Sequence, residues 1–200
     1  ATIAAAARKA DAYAIVGSPT KTGTSTYNSA VVITPEGRII ERYHKIHLAG
    51  EPWAVPGDHM SVFPIDGTRA SIIICHDERY PELVRLPVLA GARMVFYLSH
   101  ESDIRLEEKI EPYRAQIVAR AVENSVYIAH ANAPADANDL SRGSHGQSRL
   151  ISPAGAIMAE ARIFDEGVIS GAFDLAKASG SLANQSLSCP FLKRWWEEGA

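Results

Sequence analysis

The segment Ala70–Ser71–Ile72–Ile73–Ile74 runs straight into Cys75 and a polar turn, His76–Asp77–Glu78–Arg79–Tyr80. Five small or branched residues without a charge predict a buried strand, the kind found inside layered domains rather than on their rims. Pro81 and Glu82 then open a helix. A thiol is thereby held at a strand end, beside the backbone N–H groups that begin the next element. Such a position suits a nucleophile whose oxyanion needs donors. A cysteine met in isolation more often fills a gap in a core. Here the polar turn and the helix start favour the chemical role.

Strands and helices alternate along the rest of the chain. An Ala-rich helix is expected over Thr2 to Ala10, then a short strand from Tyr13 to Val16, closed by Gly17–Ser18–Pro19. A polar turn over Lys21 to Thr26 leads to a hairpin, Asn28 to Thr34 and Arg38 to Tyr43, joined across Pro35–Glu36–Gly37. Val62 to Ile65 pairs with Ala70 to Ile74 around Asp66–Gly67. A helix from Pro81 to Ala90 ends at Gly91, and a strand covers Met94 to Leu98. A long helix follows from Ile110 to Asn124, then a strand from Val126 to Ala131. A hairpin joins Ser148–Ser152 to Ile157–Ala161, and a last strand is expected over Val168 to Phe173. Hairpins interleaved with helices argue for an α/β class, with two sheets packed face to face and helices outside, not for a purely parallel sheet.

Composition excludes several partners. A net charge of −3 with 22% charged residues gives no basic surface for nucleic acid. No apolar stretch is long enough to span a bilayer. Two hundred residues, 46% of them apolar, fit one domain over 1–200 with a sizeable core and a C-terminal tail from about 175. Cys75 and Cys189 are far apart and form no CxxC, so a disulfide framework is not expected and a cytoplasmic setting is the natural one.

Lys45 is the second anchor. It lies in Tyr43–His44–Lys45–Ile46–His47–Leu48, an apolar-flanked segment between two histidines. Most lysines are solvated, but a buried ammonium must be paired, and Glu51 follows six residues on. A Lys–Glu pair near a thiol offers a cation to an oxyanion and a carboxylate to hold that cation. His44 and His47 with Cys75 raise the alternative of zinc, but two histidines three apart on an extended loop give no closed ligand set.

The segments Tyr43–Leu48, Glu51, Pro56–Gly57–Asp58 and Ile74–Glu82 together resemble the nitrilase superfamily of carbon–nitrogen hydrolases, in its amidase-like branch. So do Arg120–Asn124, Ala131–Asn132 and Gly146–Gly155, and the likeness runs from about Tyr13 to Asp174. It implies a four-layer α-β-β-α sandwich lacking, in this chain, the family's N-terminal strand and helix. It also implies a homodimer or higher homo-oligomer, and hydrolysis of a non-peptide C–N bond with neither metal nor organic cofactor. The family's machinery is a Glu, a Lys and a Cys. Lys45 and Cys75 match two of these, and Glu51 matches a further glutamate that many members carry.

No residue before Lys45 matches the first Glu, the general base: Glu36 and Glu41 lie in or beside a hairpin. Three explanations stand side by side: a chain shorter than the enzyme, a family member acting as a binding or scaffold protein without the base, or a site completed by another chain. The small-molecule substrate is expected to be an amide or carbamoyl compound, with His76, Arg79 and Tyr80 around it and His100 and Glu101 at the next strand end. For Arg79, support of the turn is an equal reading. Arg142 and His145, on a Gly/Ser-rich loop, are candidates for a substrate carboxylate, with a solvated loop as the ordinary alternative.

Overall fold

A computed structural model describes residues 2–101, 110–136, 138–139 and 142–198, apart from the side chains of Trp195 and Trp196. Its first element is helix α1 (Thr2–Ala10), followed by strands β1 (Ala14–Thr22), β2 (Ser25–Ile33) and β3 (Ile39–His44). These three strands form an antiparallel sheet in the order β1-β2-β3. The second sheet has six strands: β4 (Phe63–Ile65), β5 (Thr68–Ile74), β6 (Met94–Ser99), β7 (Tyr127–Asn132), β8 (Arg149–Ile151) and β9 (Ile157–Glu160), in chain order. Within it β5, β6 and β7 are parallel and the outer pairs antiparallel. Helices α2 (Glu82–Leu89) and α3 (Ile110–Val122) supply the parallel crossovers, and α4 (Ser181–Ser188) and α5 (Pro190–Glu198) end the chain.

Strand alternation builds two cores. Ala70, Ile72 and Ile74 of β5 point toward the first sheet and meet Ala30, Val32 and Tyr43 there. The intervening Ile73, with Val95, Tyr97 and Ile128, points the other way against Val84, Val88, Ile117 and Ala183 of the helices. A central parallel strand is thus covered on both faces, which is why its sequence reads as nearly continuous apolar residues. Helix α1 lies on the outer face of the first sheet, its Ile3 and Ala4 facing a groove beside Val16, Val31 and Ile33. The layers are therefore helix, sheet, sheet, helix.

Two expectations are corrected. Strand β1 does not stop at Val16 but continues through Pro19 to Thr22, shrinking the expected polar turn to Gly23–Thr24. Pro19 stands opposite Asn28 on an edge strand, where the absent N–H costs no ladder bond on the open side. Residues 168–173 form no ladder, and Val168 is 99% exposed. The alternation is present, but a strand needs an edge to pair with. Among the described residues β1 bonds only β2, and a cavity of about 300 Å³ separates its Ile15 from Gly167, Val168 and Ile169. The floor of that seam is apolar, made by Phe96, Leu98, Ala129 and Leu150 of the larger sheet. No helix among the described residues is long and apolar enough to cross a membrane.

Candidate active site

Strand β5 ends in a 3₁₀ turn, Cys75–Arg79, and the first residue of that turn has left-handed backbone, with φ of +48° at Cys75. A side chain with a Cβ seldom adopts this conformation unless its surroundings impose it. The turn swings the thiol into a cavity of about 470 Å³ between the two sheets, where Lys45, Glu51 and His100 also contribute to the walls. Sγ lies 3.8 Å from the carbonyl oxygen of His100, at the end of β6. Trp53, Asn28 and Ser99 line other parts of the same space.

Lys45 is 1% exposed, yet its charge is answered: Nζ donates to Glu51 Oε1 at 2.5 Å. Glu51 also accepts the Asn28 amide at 3.0 Å and the Ala49 N–H at 2.5 Å. Burial alone would raise the Glu51 pKa, but Lys45 and these two donors hold it below the usual carboxylate range. The lysine segment is gripped from outside by Gly57, whose N–H donates to the Lys45 carbonyl at 2.8 Å. A Cβ at Gly57 would come within 2.2 Å of the His44 carbonyl oxygen, so only glycine allows this approach.

Asp77 joins the lysine segment to the cysteine turn. Its fully buried carboxylate accepts the Tyr43 hydroxyl at 2.7 Å, the His47 N–H at 2.8 Å and the Ile74 N–H at 3.1 Å. Burial nonetheless raises its pKa, these donors opposing the rise. Burial also pushes the Cys75 thiol up, with Lys45 pulling it back down and Glu101 adding to the rise.

The remaining candidates scatter. Tyr80 stacks on His47 with ring centroids 3.4 Å apart, and His76 meets Tyr80 edge-on at 5.7 Å. Arg79 donates to the Tyr113 hydroxyl at 3.2 Å and lies over its ring. None of these three, nor Glu101, lines the cavity, although all lie on or beside the turn that carries Cys75. Glu101 is 3% exposed and turned inward, because Tyr97 donates to its Oε1 at 2.8 Å and His145 bonds its Oε2. Burial would raise Glu101, but His145 and Tyr97 bring it below the usual range. His145 is accordingly a buried partner of Glu101, while Arg142 is exposed. His44 bonds Ser29 at 2.7 Å and His47 stacks on Tyr80, so the two histidines have separate partners and do not converge with Cys75.

Sequence reasoning missed Tyr97, His130 and Glu78. Tyr97 sits in the apolar strand Met94–Ser99 and reads as core; the one signal is that a buried phenol must bond something. Its ring stacks on His130, at a centroid distance of 4.3 Å, and His130 Nε2 bonds Ser99 Oγ at 2.8 Å. Glu78 is 1% exposed, and neither carboxyl oxygen makes a hydrogen bond of good geometry.

Two of these groups make stability depend on pH in opposite senses. Burial pulls the His130 pKa from 6.5 down to about 3. The unfolded chain therefore takes up this proton first, and stability falls as pH drops from 6.5 toward 3. Burial and Glu101 push Glu78 from 4.5 up to about 8, so the unfolded chain loses that proton first and stability falls as pH rises from 4.5 toward 8. Each slope approaches about tenfold in the folding constant per pH unit. Glu51 and Glu101, lowered, add to the acid side, and Asp77, raised, to the alkaline side. Urea titrations should show a broad maximum between the two limbs. His130→Gln should flatten the acid limb alone and Glu78→Gln the alkaline limb alone. Unchanged limbs in both variants would contradict these assignments.

The carbon-nitrogen hydrolase family pattern matches residues 1–180, and the chain belongs to that family. It is 28% identical over 178 residues to 2-oxoglutaramate amidase of Bacillus subtilis, covering 86% of this chain and 66% of that protein. It is 29% identical over 183 residues to omega-amidase NIT2 of Homo sapiens, covering 86% of this chain and 64% of that protein. The chain thus spans slightly less than two thirds of these relatives. Among solved structures, a carbon-nitrogen hydrolase from Helicobacter pylori G27 superposes with a TM-score of 0.77 at 22% identity, over 96% of this chain and 70% of that one. Saccharomyces cerevisiae Nit3, a nitrilase-superfamily member, gives 0.73 at 25% identity, over 82% and 60%.

Proposed function

We propose that this chain carries the nucleophile and the oxyanion cation of an enzyme that hydrolyses small amides through a cysteine thioester. The observation that carries the reading is one cavity walled by Cys75, Lys45 and Glu51, with the thiol on a left-handed strand-end residue. The Cys75 thiolate attacks the carbonyl carbon, and the C=O electron pair moves to oxygen. That oxyanion is met by the Lys45 ammonium and by the backbone N–H of His76, next to the thiol at the open start of the 3₁₀ turn, while the His76 ring packs on Tyr80 outside the cavity. Collapse expels ammonia, which leaves with a proton from the general acid, and forms the thioester. Water then attacks the thioester, releasing the acid and restoring the thiol. Glu51 pairs with Lys45 and aims it. The amidase names of the curated relatives support an amide substrate class.

Proton transfer needs a base beside Sγ. Glu51 is the one carboxylate among the described lining residues, and Lys45, Asn28 and Ala49 already engage it. We place the base glutamate on a strand from outside residues 1–200, lying in the apolar seam between β1 and residues 167–173. The same unfilled role favours the second reading, a binding or scaffold protein without turnover.

Ammonia release from simple primary amides separates the two. The 200-residue chain should show none, and a form extended upstream by a strand ending in glutamate should turn over. An extended form that folds and stays inactive would favour the scaffold reading. Turnover by the 200-residue chain alone would mean that another residue is the base.

A further inference from the structure

The left-handed backbone at Cys75 needs something to hold it, and the structure shows one side chain bonded to its peptide group from the helix side. The single proton of the Tyr97 hydroxyl is forked between two acceptors, Glu101 Oε1 at 2.8 Å and, on the longer arm, the Cys75 carbonyl at 3.3 Å. Tyr97 is wholly buried, and its ring is fixed between the helix-side core and the His130 ring. Glu101 is pinned in turn. His145 bonds its second oxygen, the Asn132 side chain accepts its N–H at 3.3 Å, and Ser144 donates to its carbonyl at 2.5 Å. A connected set of buried groups therefore runs from the loop at residues 144–145 to the carbonyl of the strained residue. Buried hydrogen bonds linked in this way strengthen one another in a low-dielectric interior.

We propose that Tyr97 is a positioning residue for the nucleophile: its hydroxyl, oriented by Glu101 and His145, holds the Cys75 carbonyl and with it the backbone turn that points the thiol into the cavity. Tyr97 does not line that cavity, so it acts through Cys75 and not on a substrate. The inference rests on Cys75 being the nucleophile.

Alkylation by iodoacetamide tests it in the 200-residue chain, with Cys189→Ser leaving Cys75 as the sole thiol. The rate is followed by intact mass from pH 6 to 10, and the limiting rate of the thiolate is read at the top of the profile. Tyr97→Phe should lower that limiting rate about tenfold, the effect of one lost hydrogen bond on a held geometry, with unchanged far-UV circular dichroism. Glu101→Ala should do the same. Glu101→Gln should stay within about twofold of the parent, because its amide oxygen still accepts the Tyr97 hydroxyl. A role confined to stability would shift urea midpoints and leave the limiting rate alone.

A parent rate in Tyr97→Phe overturns the positioning role. If Tyr97→Phe does not fold, the two Glu101 variants decide: equal rates in Gln and Ala overturn it, and a gap in favour of Gln supports it. No alkylation of the parent at any pH overturns the nucleophile assignment together with this one, whereas a reactive parent matched by Tyr97→Phe overturns this one alone.

Discussion

Cys75→Ala is expected to bring amide hydrolysis down to the uncatalysed background in the form that carries the base. Nucleophilic catalysis divides one difficult displacement into two easier ones, and an alanine removes the atom through which both steps pass. Ser99 lines the same cavity, but its hydroxyl is committed to His130 and to Asn132, each at 2.8 Å. Cys189 is exposed on the connection between the last two helices. The loss should appear in turnover rather than in folding, because Cys75 is only partly buried and its methylene is retained. Ammonia release together with mass spectrometry of the trapped acyl-enzyme checks both halves. A variant that keeps turnover within about tenfold of the parent would remove the assignment, since removal of a covalent nucleophile costs far more.

Lys45→Met is expected to lower the rate about 100- to 1,000-fold, the usual cost of one oxyanion donor. Methionine keeps the stem that fills the site and drops the charge. Glu51 then retains the Asn28 amide and the Ala49 N–H, so its carboxylate stays solvated by protein while losing its cation. A second effect has a defined sign. Burial raises the Cys75 thiol and Lys45 opposes the rise, so removing Lys45 should move the alkylation profile of Cys75 further to alkaline pH. Lys45→Arg should not rescue, because the wider guanidinium does not fit where a 1%-exposed ammonium meets one carboxylate oxygen. An unmoved alkylation profile in Lys45→Met would show that the ammonium does not act on the thiol.

The layered fold was legible because its strands obey simple local rules. β5 reads as buried from Ala70–Ile74 alone, and Lys45 and Glu51 were paired from the cost of an unanswered charge. What sequence could not show depends on which edges are free. The alternation in residues 168–173 is strand-like, but pairing is decided by a neighbour that local pattern does not encode. Direction was hidden as well. Glu101 follows a strand end beside Cys75, as does His100, yet one turns into the helix-side core and the other lines the cavity. Glu78 gave no warning, since a glutamate in a turn is ordinary, and Tyr97 gave only that of a phenol in an apolar strand.

The carboxylate of Asp77 bonds the lysine segment through Tyr43 and His47 and the cysteine segment through Ile74. Anyone transplanting this chemistry to another scaffold would therefore have to move residues 43–47 and 74–80 as a single graft. Redesigning either loop by itself would leave a dry anion with donors on only one side. Libraries that vary the two loops independently should return mostly insoluble clones, and the productive ones should be those that change both together.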